Sequence, residues 1–320
     1  MHDNSTLKAF LRDAKKIHVA IVGDIMLDIF SYGTITRTSP EAPVPIIDVH
    51  EKDSVPGGAA NVARNVVDLG SRATLYSVTG RDEGSLILRR ILRTHKIATR
   101  NIIKTPRPTT VKERIVVDGK HHARIDSETK QSIHRIHRDN LIYRFKRDLA
   151  TIDVLVFADY AKGVITEPLV AALCNLATHK GIPIVVDTKP SNAVLFRNKN
   201  ISLFTPNLME ALSISQKKEG ERAARHLQDY FASSVLITRG DKGMTLYEGD
   251  NSVHADALAA KVVDVSGCGD TVAAFLAIAL ASQRSKTDAM HLANRAAGIV
   301  VQKKGTASVS PHEFLHFYEK

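Results

Sequence analysis

Residues 263–271 read VDVSGCGDT, and an alanine-rich helical pattern runs on from Thr271 to Ala281. A Gly-x-Gly turn at the start of a helix points several backbone N–H groups in one direction, and with the helix dipole they form a site for an anion. Asp270 follows this turn directly, so its carboxylate can accept a proton from a hydroxyl that attacks the anion. The alternative is structural: Asp270 caps the helix and the glycines make a tight turn.

The chain upstream of this stretch alternates between short apolar runs and helical patterns. Four runs rich in β-branched residues predict strands: His18–Gly23, Val154–Asp159, Ile182–Asp187 and Val235–Thr238. Helical spacing predicts helices in five places: residues 1–16, Ala59–Leu69, Thr166–His179, Thr271–Ala281 and Ala289–Gln302. Uniformly apolar strands are typical of parallel strands that are buried on both faces. The alternation therefore predicts an α/β layered fold with a mostly parallel central sheet.

Two further segments alternate apolar and polar residues. They are Val44–His50 and Thr110–Asp126, and the second carries Asp118-Gly119, a strong hairpin signal, between two strand-like runs. We expect a small antiparallel sheet, inserted at about residues 33–55 and 101–127, that lies over the main domain. Because no repeat or break in composition marks a second domain, residues 1–320 are expected to form one domain.

The chain is basic, with 44 Lys and Arg residues against 34 Asp and Glu residues and a formal charge of +10. Nucleic acid, an anionic membrane surface and anionic small substrates are the partners that such a charge suggests. The basic residues are scattered, and no RNA-binding aromatic signature occurs, so a basic solvated surface is the simplest interpretation. The adjacent His121 and His122 lack the spacing of a metal site.

Cysteine usage and hydropathy indicate the compartment. Cys174 and Cys268 fit neither a zinc nor a redox spacing, which favours a reducing environment. The polar N-terminus does not resemble a signal peptide, and no apolar run approaches the roughly 20 residues that span a bilayer. We therefore expect a cytoplasmic protein.

A second glycine motif precedes a helix at residues 56–63, PGGAANVA. Gly57 and Gly58 allow a ligand close to the backbone, and Asn61 offers a donor and an acceptor to a sugar hydroxyl. Alone, this motif also fits an ordinary strand-to-helix turn. A glycine pair early in the chain, strands that end in Asp, and Gly-x-Gly-Asp late together resemble the ribokinase-like (PfkB) family of carbohydrate kinases. The resemblance covers essentially the full length.

A narrower resemblance rests on six stretches: VGDIMLD (22–28), TSPEAPVPIIDV (38–49), PGGAANVA (56–63), ADYAKG (158–163), TPNLME (205–210) and GTASVSP (305–311). They are similar to the family's kinases of D-glycero-β-D-manno-heptose 7-phosphate. This implies Mg²⁺-dependent transfer of the γ-phosphoryl group of ATP to the C1 hydroxyl, in the ADP-heptose route to lipopolysaccharide. A kinase of another phosphosugar is the alternative, and an inactive sugar-phosphate sensor or a nucleic-acid binder is a more distant one.

Bifunctional members of the family carry a nucleotidyltransferase domain with a His-x-Gly-His motif. That motif does not occur in residues 1–320, so adenylylation is not expected of them. The resemblance also implies a homodimer through the lid strands, whose edges otherwise need covering.

The resemblance assigns Asp270 as the base, with the N–H groups of Gly267, Cys268 and Gly269 neutralising developing charge. This chain has Cys268 where the family usually has alanine, which keeps the N–H group. The sugar hydroxyls would be held by five residues, among which we favour Asp24 over Asp28: Asp24, Asp28, Gly57, Gly58 and Asn61.

Cations would hold a phosphate at the far end of the sugar. The candidates are Lys112, Arg114 and Arg124 on the lid strands. Lys162, which follows Asp159 in the substrate site, is expected to bind either a substrate phosphate or a nucleotide phosphate. For the four cations a plain surface position is the alternative. The nucleotide side would comprise Asp187, Lys189, Asn207, Glu210, Thr238, Gly240, Gly243, Asn294 and Gly298. Among these, Glu210 would contact Mg²⁺ through water, because Mg²⁺ keeps several waters in protein sites.

Overall fold

The computed structural model describes residues 4–259 and 261–317. Its strands are β1 His18–Gly23, β2 Ile25–Thr38, β3 Pro45–Gly58, β4 Arg72–Thr79, β5 Ile102–Lys104, β6 Thr110–Val117, β7 Lys120–Ser127, β8 Val154–Ala158, β9 Ile184–Asp187, β10 Leu203–Phe204, β11 Ser234–Thr238, β12 Met244–Glu248 and β13 Asn251–Ala255. Its α-helices are α1 Asn4–Ala14, α2 Ala59–Asp68, α3 Glu83–Thr94, α4 Arg135–Asp148, α5 Glu167–Lys180, α6 Leu208–Ser215, α7 Gly220–Phe231, α8 Cys268–Ala281, α9 Lys286–Val300 and α10 Pro311–His316.

The main sheet has the order β13-β12-β11-β10-β9-β8-β1-β4-β5. All neighbours from β11 to β5 are parallel, whereas β12 and β13 pair antiparallel at one edge. Successive residues of β1 enter opposite apolar clusters: Val19 and Ile21 pack with α1, α2, α8 and α9, and Ala20 and Val22 pack with α4, α5 and α7. The predicted three-layer α/β fold with a mostly parallel central sheet is therefore confirmed.

The observed boundaries differ from the predicted ones by a few residues. The first helix begins at Asn4, and residues 1–3 of its predicted range lie outside the described residues. Helix α8 begins at Cys268 rather than at Thr271, because Gly267 takes the left-handed conformation, with a φ of 74°, at the N-cap position. Asp270 thus lies in the first turn of the helix, where the helix dipole favours a negative charge.

The second sheet, which we call the lid sheet, has the order β3-β2-β6-β7. Asp118 and Gly119 form the β6–β7 turn, both with positive φ, as a two-residue hairpin turn requires. The expectation of an antiparallel sheet is wrong at its centre, because β2 and β6 are parallel, with Met26 opposite Thr110 and Gly33 opposite Val117.

Within the described ranges, no helix has the length and apolar character that crossing a bilayer requires.

The loop after β8 is fixed by a close backbone approach. Gly163 has a φ of 87°, and a Cβ atom there would lie 2.0 Å from the carbonyl oxygen of Gln131. Gly119 also has positive φ, 73°, but a Cβ atom added to it would have no neighbour within 4 Å. The two glycines therefore form a matched pair that separates backbone strain from steric conflict.

We expect Gly163→Ala to lower the free energy of unfolding by about 2 kcal/mol more than Gly119→Ala, which should cost about 1 kcal/mol. The reason is that Gly119 bears only the cost of positive φ, whereas Gly163 must also move away from Gln131. Urea unfolding followed by circular dichroism gives both values. Equal losses in the two variants would contradict the close approach at Gly163.

Candidate active site

The two glycine motifs meet at one buried carboxylate. Asp270 is only 3% exposed, and its Oδ2 atom accepts a hydrogen bond from the Asn61 Nδ2 atom at 2.8 Å. The hydroxyl of Tyr160 donates to the other oxygen, Oδ1. A Cβ atom on Gly267 would lie 2.5 Å from the Asn61 amide nitrogen, so the glycine lets α2 and α8 approach this closely. Sequence reasoning proposed both motifs, and the packing of α2 against α8 joins them.

The turn before α8 leaves fewer free N–H groups than the sequence predicted. The Cys268 N–H group donates to the Val265 carbonyl oxygen at 3.2 Å, so it is already engaged. The N–H groups of Gly267 and Gly269 have no acceptor among residues 4–259 and 261–317. An anion at this helix terminus is therefore offered the N–H groups of Gly267 and Gly269, whereas the Cys268 N–H group, which the sequence also predicted for this site, is engaged with Val265.

Burial sets the acid–base behaviour of Asp270. It raises the pKa of Asp270 to about 6, although the hydrogen bonds from Tyr160 and Asn61 act in the opposite direction. Asp28 adds to the rise and Lys189 opposes it. A carboxylate with this pKa is ionised at neutral pH, and it is a stronger base than an exposed aspartate.

Asp24 and Asp28 differ in the groups that contact their carboxylates. The Asp24 carboxylate accepts three backbone N–H groups, from Tyr160 at 2.9 Å and from Lys162 and Val164 at 3.0 Å. Its function is thus to fix the loop that follows β8. Asp28 is also buried, and one of its oxygens contacts Arg114 Nη1 at 2.6 Å. The geometry reverses the preference for Asp24, since sequence adjacency to β1 does not tell where a side chain points.

The glycine pair makes room for Asp28. A Cβ atom on Gly57 would lie 2.0 Å from Asp28 Oδ2, and one on Gly58 would lie 3.3 Å from a ring carbon of Tyr160. The Asn61 Oδ1 atom beside them is buried and has no hydrogen-bond partner in the described structure. A hydroxyl that donates to this oxygen would satisfy it, which is the chemistry of a sugar site.

Asp159 serves the loop as well. It accepts the Ala161 N–H group at 2.8 Å, the Asn192 amide at 3.1 Å and the hydroxyl of Thr188. These bonds connect β8 to the segment after β9 and account for the carboxylate without a ligand. The predicted role of Asp159 in substrate contact is therefore not supported by its surroundings.

Two lysines converge on one carboxylate below the lid sheet. Lys162 Nζ lies 2.5 Å from Glu128 Oε1, and Lys112 Nζ lies 3.8 Å from Glu128 Oε2 and 3.6 Å from Asp126. Arg124 does not join them: its side chain is 54% exposed and pairs with Asp126 at 2.8 Å. Of the predicted phosphate-binding cations, the structure groups Lys112 with Lys162, while Arg114 belongs with Asp28.

Sequence reasoning missed three residues of this region. They are Tyr160, which reaches Asp270, Glu128, which holds the lysine pair, and Arg107. Arg107 Nη2 donates to the carbonyl oxygens of Thr129 and Lys162, and its Nη1 atom is buried without a partner in the described residues. Tyr160 lies inside the ADYAKG stretch, so the motif was visible, whereas nothing local marks Glu128 or Arg107.

The predicted nucleotide side begins with a capped helix. Asn207 and Glu210 form a capping box at the start of α6: Asn207 Oδ1 accepts the Glu210 N–H group at 2.9 Å, and Glu210 Oε2 accepts the Asn207 N–H group at 3.0 Å. The other Glu210 oxygen contacts Lys189 Nζ at 2.6 Å. Burial and the nearby Glu210 charge raise the pKa of Asp187 to about 8.

The acids of this side suit Mg²⁺ held through water. Both oxygens of Glu210 are engaged, so a contact through water suits it better than direct coordination. No group of three or more metal-ligating side chains occurs in the part of the chain that the structure describes. Asp187 and Glu210 lie close enough for the Glu210 charge to raise the pKa of Asp187, after burial, and a divalent cation would offset this repulsion. The residues present therefore fit a water-bound Mg²⁺ with few protein ligands.

The remaining predicted nucleotide residues shape two loops. The Thr238 N–H group donates to the Pro206 carbonyl oxygen at 3.1 Å, and Gly240 has a φ of 61° in the turn that follows. A Cβ atom on Gly243 would lie 2.0 Å from the Ala255 carbonyl oxygen. Asn294 donates to the Asp256 carbonyl oxygen at 2.7 Å, and Gly298 lets Leu258 pack against α9. These contacts are structural, and they place residues 255–258 next to α9.

Three features together define a ribokinase-like sugar kinase: a parallel α/β core with a lid sheet, a buried carboxylate at a helix N-terminus, and beside it a site suited to a sugar hydroxyl. The chain belongs to the pfkB family of carbohydrate kinases, whose model matches residues 16–313.

Two relatives illustrate the likeness in sequence. The chain is 39% identical over 311 residues to the bifunctional protein HldE of Gluconacetobacter diazotrophicus and 38% identical over 313 residues to that of Pectobacterium atrosepticum. The matches cover 95% and 96% of this chain but 64% of each relative. The chain thus spans a little under two thirds of the length of these relatives.

Solved structures agree in fold. Arabidopsis thaliana ribokinase, in a complex with ribose and ATP, matches with a TM-score of 0.73 at 18% identity, covering 93% of this chain and 98% of that one. Escherichia coli phosphofructokinase-2 with fructose-6-phosphate gives a TM-score of 0.76 at 17% identity, covering 95% and 99%. At these identities the likeness establishes the fold alone.

Proposed function

We propose that the protein transfers the γ-phosphoryl group of ATP to the C1 hydroxyl of D-glycero-β-D-manno-heptose 7-phosphate, giving the 1,7-bisphosphate and ADP. The observation that carries the reaction type is Asp270, a buried base beside the two free N–H groups at the start of α8. The sugar specificity is supported by the TSPEAPVPIIDV and ADYAKG stretches and by the similarity to the bifunctional HldE proteins. The reaction belongs to ADP-heptose synthesis for lipopolysaccharide, and we place it in the cytoplasm.

The transfer step follows from the geometry around Asp270. The C1 oxygen forms a bond to the γ-phosphorus as the bond from that phosphorus to the β,γ-bridging oxygen breaks, and the C1 hydroxyl proton passes to Asp270. The N–H groups of Gly267 and Gly269, which have no acceptor among the described residues, would stabilise negative charge on the phosphoryl oxygens. Asn61 Oδ1 and Asp28 would accept hydrogen bonds from sugar hydroxyls and so hold the acceptor in line.

The lysine pair would select a phosphorylated sugar. Lys112, on strand β6 of the lid sheet, and Lys162 both lie beside Glu128. Their side chains are only 16% and 12% exposed. A phosphate dianion could bind both ammonium groups at once, whereas Glu128 and Asp126 now contact them with separate carboxylates. We propose that the 7-phosphate binds both lysines, with Arg107 adjoining through the Lys162 carbonyl oxygen.

Nucleotide and metal would occupy the side formed by α6, α8 and α9. Lys189 is placed to approach the ATP phosphates, and Asp187 and Glu210 would act on Mg²⁺ through water. Mg²⁺, when bound, neutralises phosphate charge and orients the γ-phosphoryl group.

A panel of sugar phosphates, assayed by coupled ADP release, tests the substrate assignment. We expect the highest kcat/KM with D-glycero-β-D-manno-heptose 7-phosphate. No preference for it over hexose phosphates or tagatose phosphate would reject the assignment and favour a kinase of another phosphosugar.

Asp270→Asn tests the mechanism. Since the amide cannot accept the C1 hydroxyl proton, we expect kcat to fall by about 10²-fold to 10⁴-fold while ATP binding, measured by calorimetry, is retained. Asp250→Asn, at an exposed turn, is the matched control and should behave as wild type. Near-normal turnover of Asp270→Asn would show that another group is the base.

Lys112→Met and Lys162→Met test the phosphate site. Each removes a charge-assisted contact, so we expect KM for the heptose 7-phosphate to rise about tenfold or more, with little change for heptose that lacks the phosphate. Arg124→Met, which removes an exposed lid cation, is the control and should leave both KM values unchanged. An equal loss with both sugars would contradict phosphate recognition by the pair.

We also propose a homodimer through the lid sheet. Three of its apolar side chains, Ile35, Val49 and Ile125, are 42–58% exposed, and β3 and β7 are edge strands of this sheet. A second copy would cover both the apolar surface and the unpaired backbone groups. Analytical ultracentrifugation of wild type and of Ile125→Lys checks this: we expect a dimer that the charged variant weakens. A monomeric wild type at micromolar concentration would reject it.

A further inference from the structure

The catalytic carboxylate is held from two sides by donors on different elements. Asn61, on α2, donates its amide to Oδ2, and Tyr160, in the loop after β8, donates its hydroxyl to Oδ1. A carboxylate has about four lone-pair positions, so each oxygen of Asp270 keeps capacity for a further hydrogen bond. With one position on each oxygen taken, the carboxylate has a fixed orientation towards the acceptor hydroxyl.

Tyr160 is itself rigidly placed. Its backbone N–H group donates to Asp24 at 2.9 Å, and the same carboxylate also fixes Lys162 and Val164. The Tyr160 ring lies against Gly58, and the Lys189 ammonium group is 5.4 Å from the ring centroid. The buried carboxylate of Asp24 therefore acts on Asp270 indirectly. It fixes the conformation of the loop after β8, and the loop fixes the position of the Tyr160 hydroxyl that contacts Asp270.

The charged groups around Asp270 make its ionisation sensitive to the hydrogen bond from the Tyr160 hydroxyl. Asp28 on β2 raises the pKa of Asp270 and Lys189 opposes it, while the Asp187 carboxyl at the end of β9 is a further acidic group near it, with a pKa raised to about 8. Cys268, in the same helical turn, is partly buried, and its thiol has a pKa raised to about 11 by burial and by Asp270. With carboxylates on two sides, the ionised form of Asp270 depends on its hydrogen-bond donors.

We propose that Tyr160 is a positioning residue for phosphoryl transfer: its hydroxyl orients the Asp270 carboxylate towards the acceptor hydroxyl and stabilises the ionised base. This inference rests on the proposed role of Asp270 as the base. The Tyr160 hydroxyl remains protonated throughout, since burial and the Asp270 charge raise its own pKa well above the usual value. The proton of the sugar hydroxyl goes to Asp270, and Tyr160 neither gains nor loses one.

Loss of the Tyr160 hydroxyl should shift the pH dependence of turnover in a definite direction. Turnover requires ionised Asp270, so the rate falls as pH drops through the Asp270 pKa. The Tyr160 hydrogen bond lowers that pKa against the effect of burial. Removing the hydroxyl therefore moves the acid limb to higher pH, and activity lost near neutrality returns in alkaline solution. A merely structural loss would reduce activity by the same factor at every pH.

The experiment compares kcat against pH, from about 5.5 to about 9, at saturating sugar phosphate and ATP. For Tyr160→Phe we expect the acid limb to move up by about one pH unit, with partial recovery of kcat at the alkaline end. Tyr143→Phe, at an exposed helix position, is the matched control and should keep the wild-type profile. An unmoved acid limb in Tyr160→Phe, or a pH-independent loss, would overturn the proposal.

A second variant covers the case in which Tyr160→Phe does not fold. Site-specific 3-fluorotyrosine at position 160 preserves the ring and makes its hydroxyl a stronger donor, so the acid limb should move to lower pH. A shift in the opposite direction, or none, would count against the proposal.

The failure of this inference is separable from that of the proposed substrate. If the wild type phosphorylates a different phosphosugar, the heptose assignment fails, while the pH profiles measured with that sugar still test Tyr160.

Discussion

The contact between Asn61 and Asp270 is the interaction on which the site depends. The two residues are 209 positions apart in the chain, and their side chains meet at 2.8 Å because the first turns of α2 and α8 pack together. Gly267 permits this approach, since a side chain there would collide with the Asn61 amide. Asn61 Oδ1 has no partner in the described structure and Asp270 lies in the first turn of α8, so one pair of helix starts would supply both the proposed acceptor site and the proposed base.

Buried carboxylates around this contact have separate functions according to their partners. Asp24 and Asp159 each accept three hydrogen bonds from backbone or side-chain donors, and they fix the loop after β8. Asp270 has two donors and keeps capacity for a substrate, while Asp187 has a pKa raised to about 8 by burial and by Glu210. Residues of one type therefore differ in chemistry because burial, neighbouring charges and hydrogen-bond donors differ from one to the next.

The lid sheet connects recognition to the same framework. Strand β2 continues from β1 after Asp24, so Asp28 lies on the strand that leads from the core into the lid sheet. Strand β6 runs parallel to β2 and places Lys112 directly opposite Asp28 in the pairing register. Residues on adjacent strands of one sheet would thus bind the substrate hydroxyls and the distal phosphate. Their relative position is fixed by the pairing of β2 with β6.

The sequence by itself determined the α/β class, the strands around Asp24 and Asp159, the β6–β7 hairpin and the two glycine motifs, because these depend on local periodicity and turn chemistry. The sequence could not rank Asp28 above Asp24, and it could not show that the Cys268 N–H group is already engaged. It also did not reveal that Tyr160 contacts Asp270 or that Glu128 contacts the lysine pair. Those outcomes depend on which donors and acceptors meet across the fold, and only the tertiary structure decides that. A buried polar atom can form a hydrogen bond only with a partner that packing brings close to it.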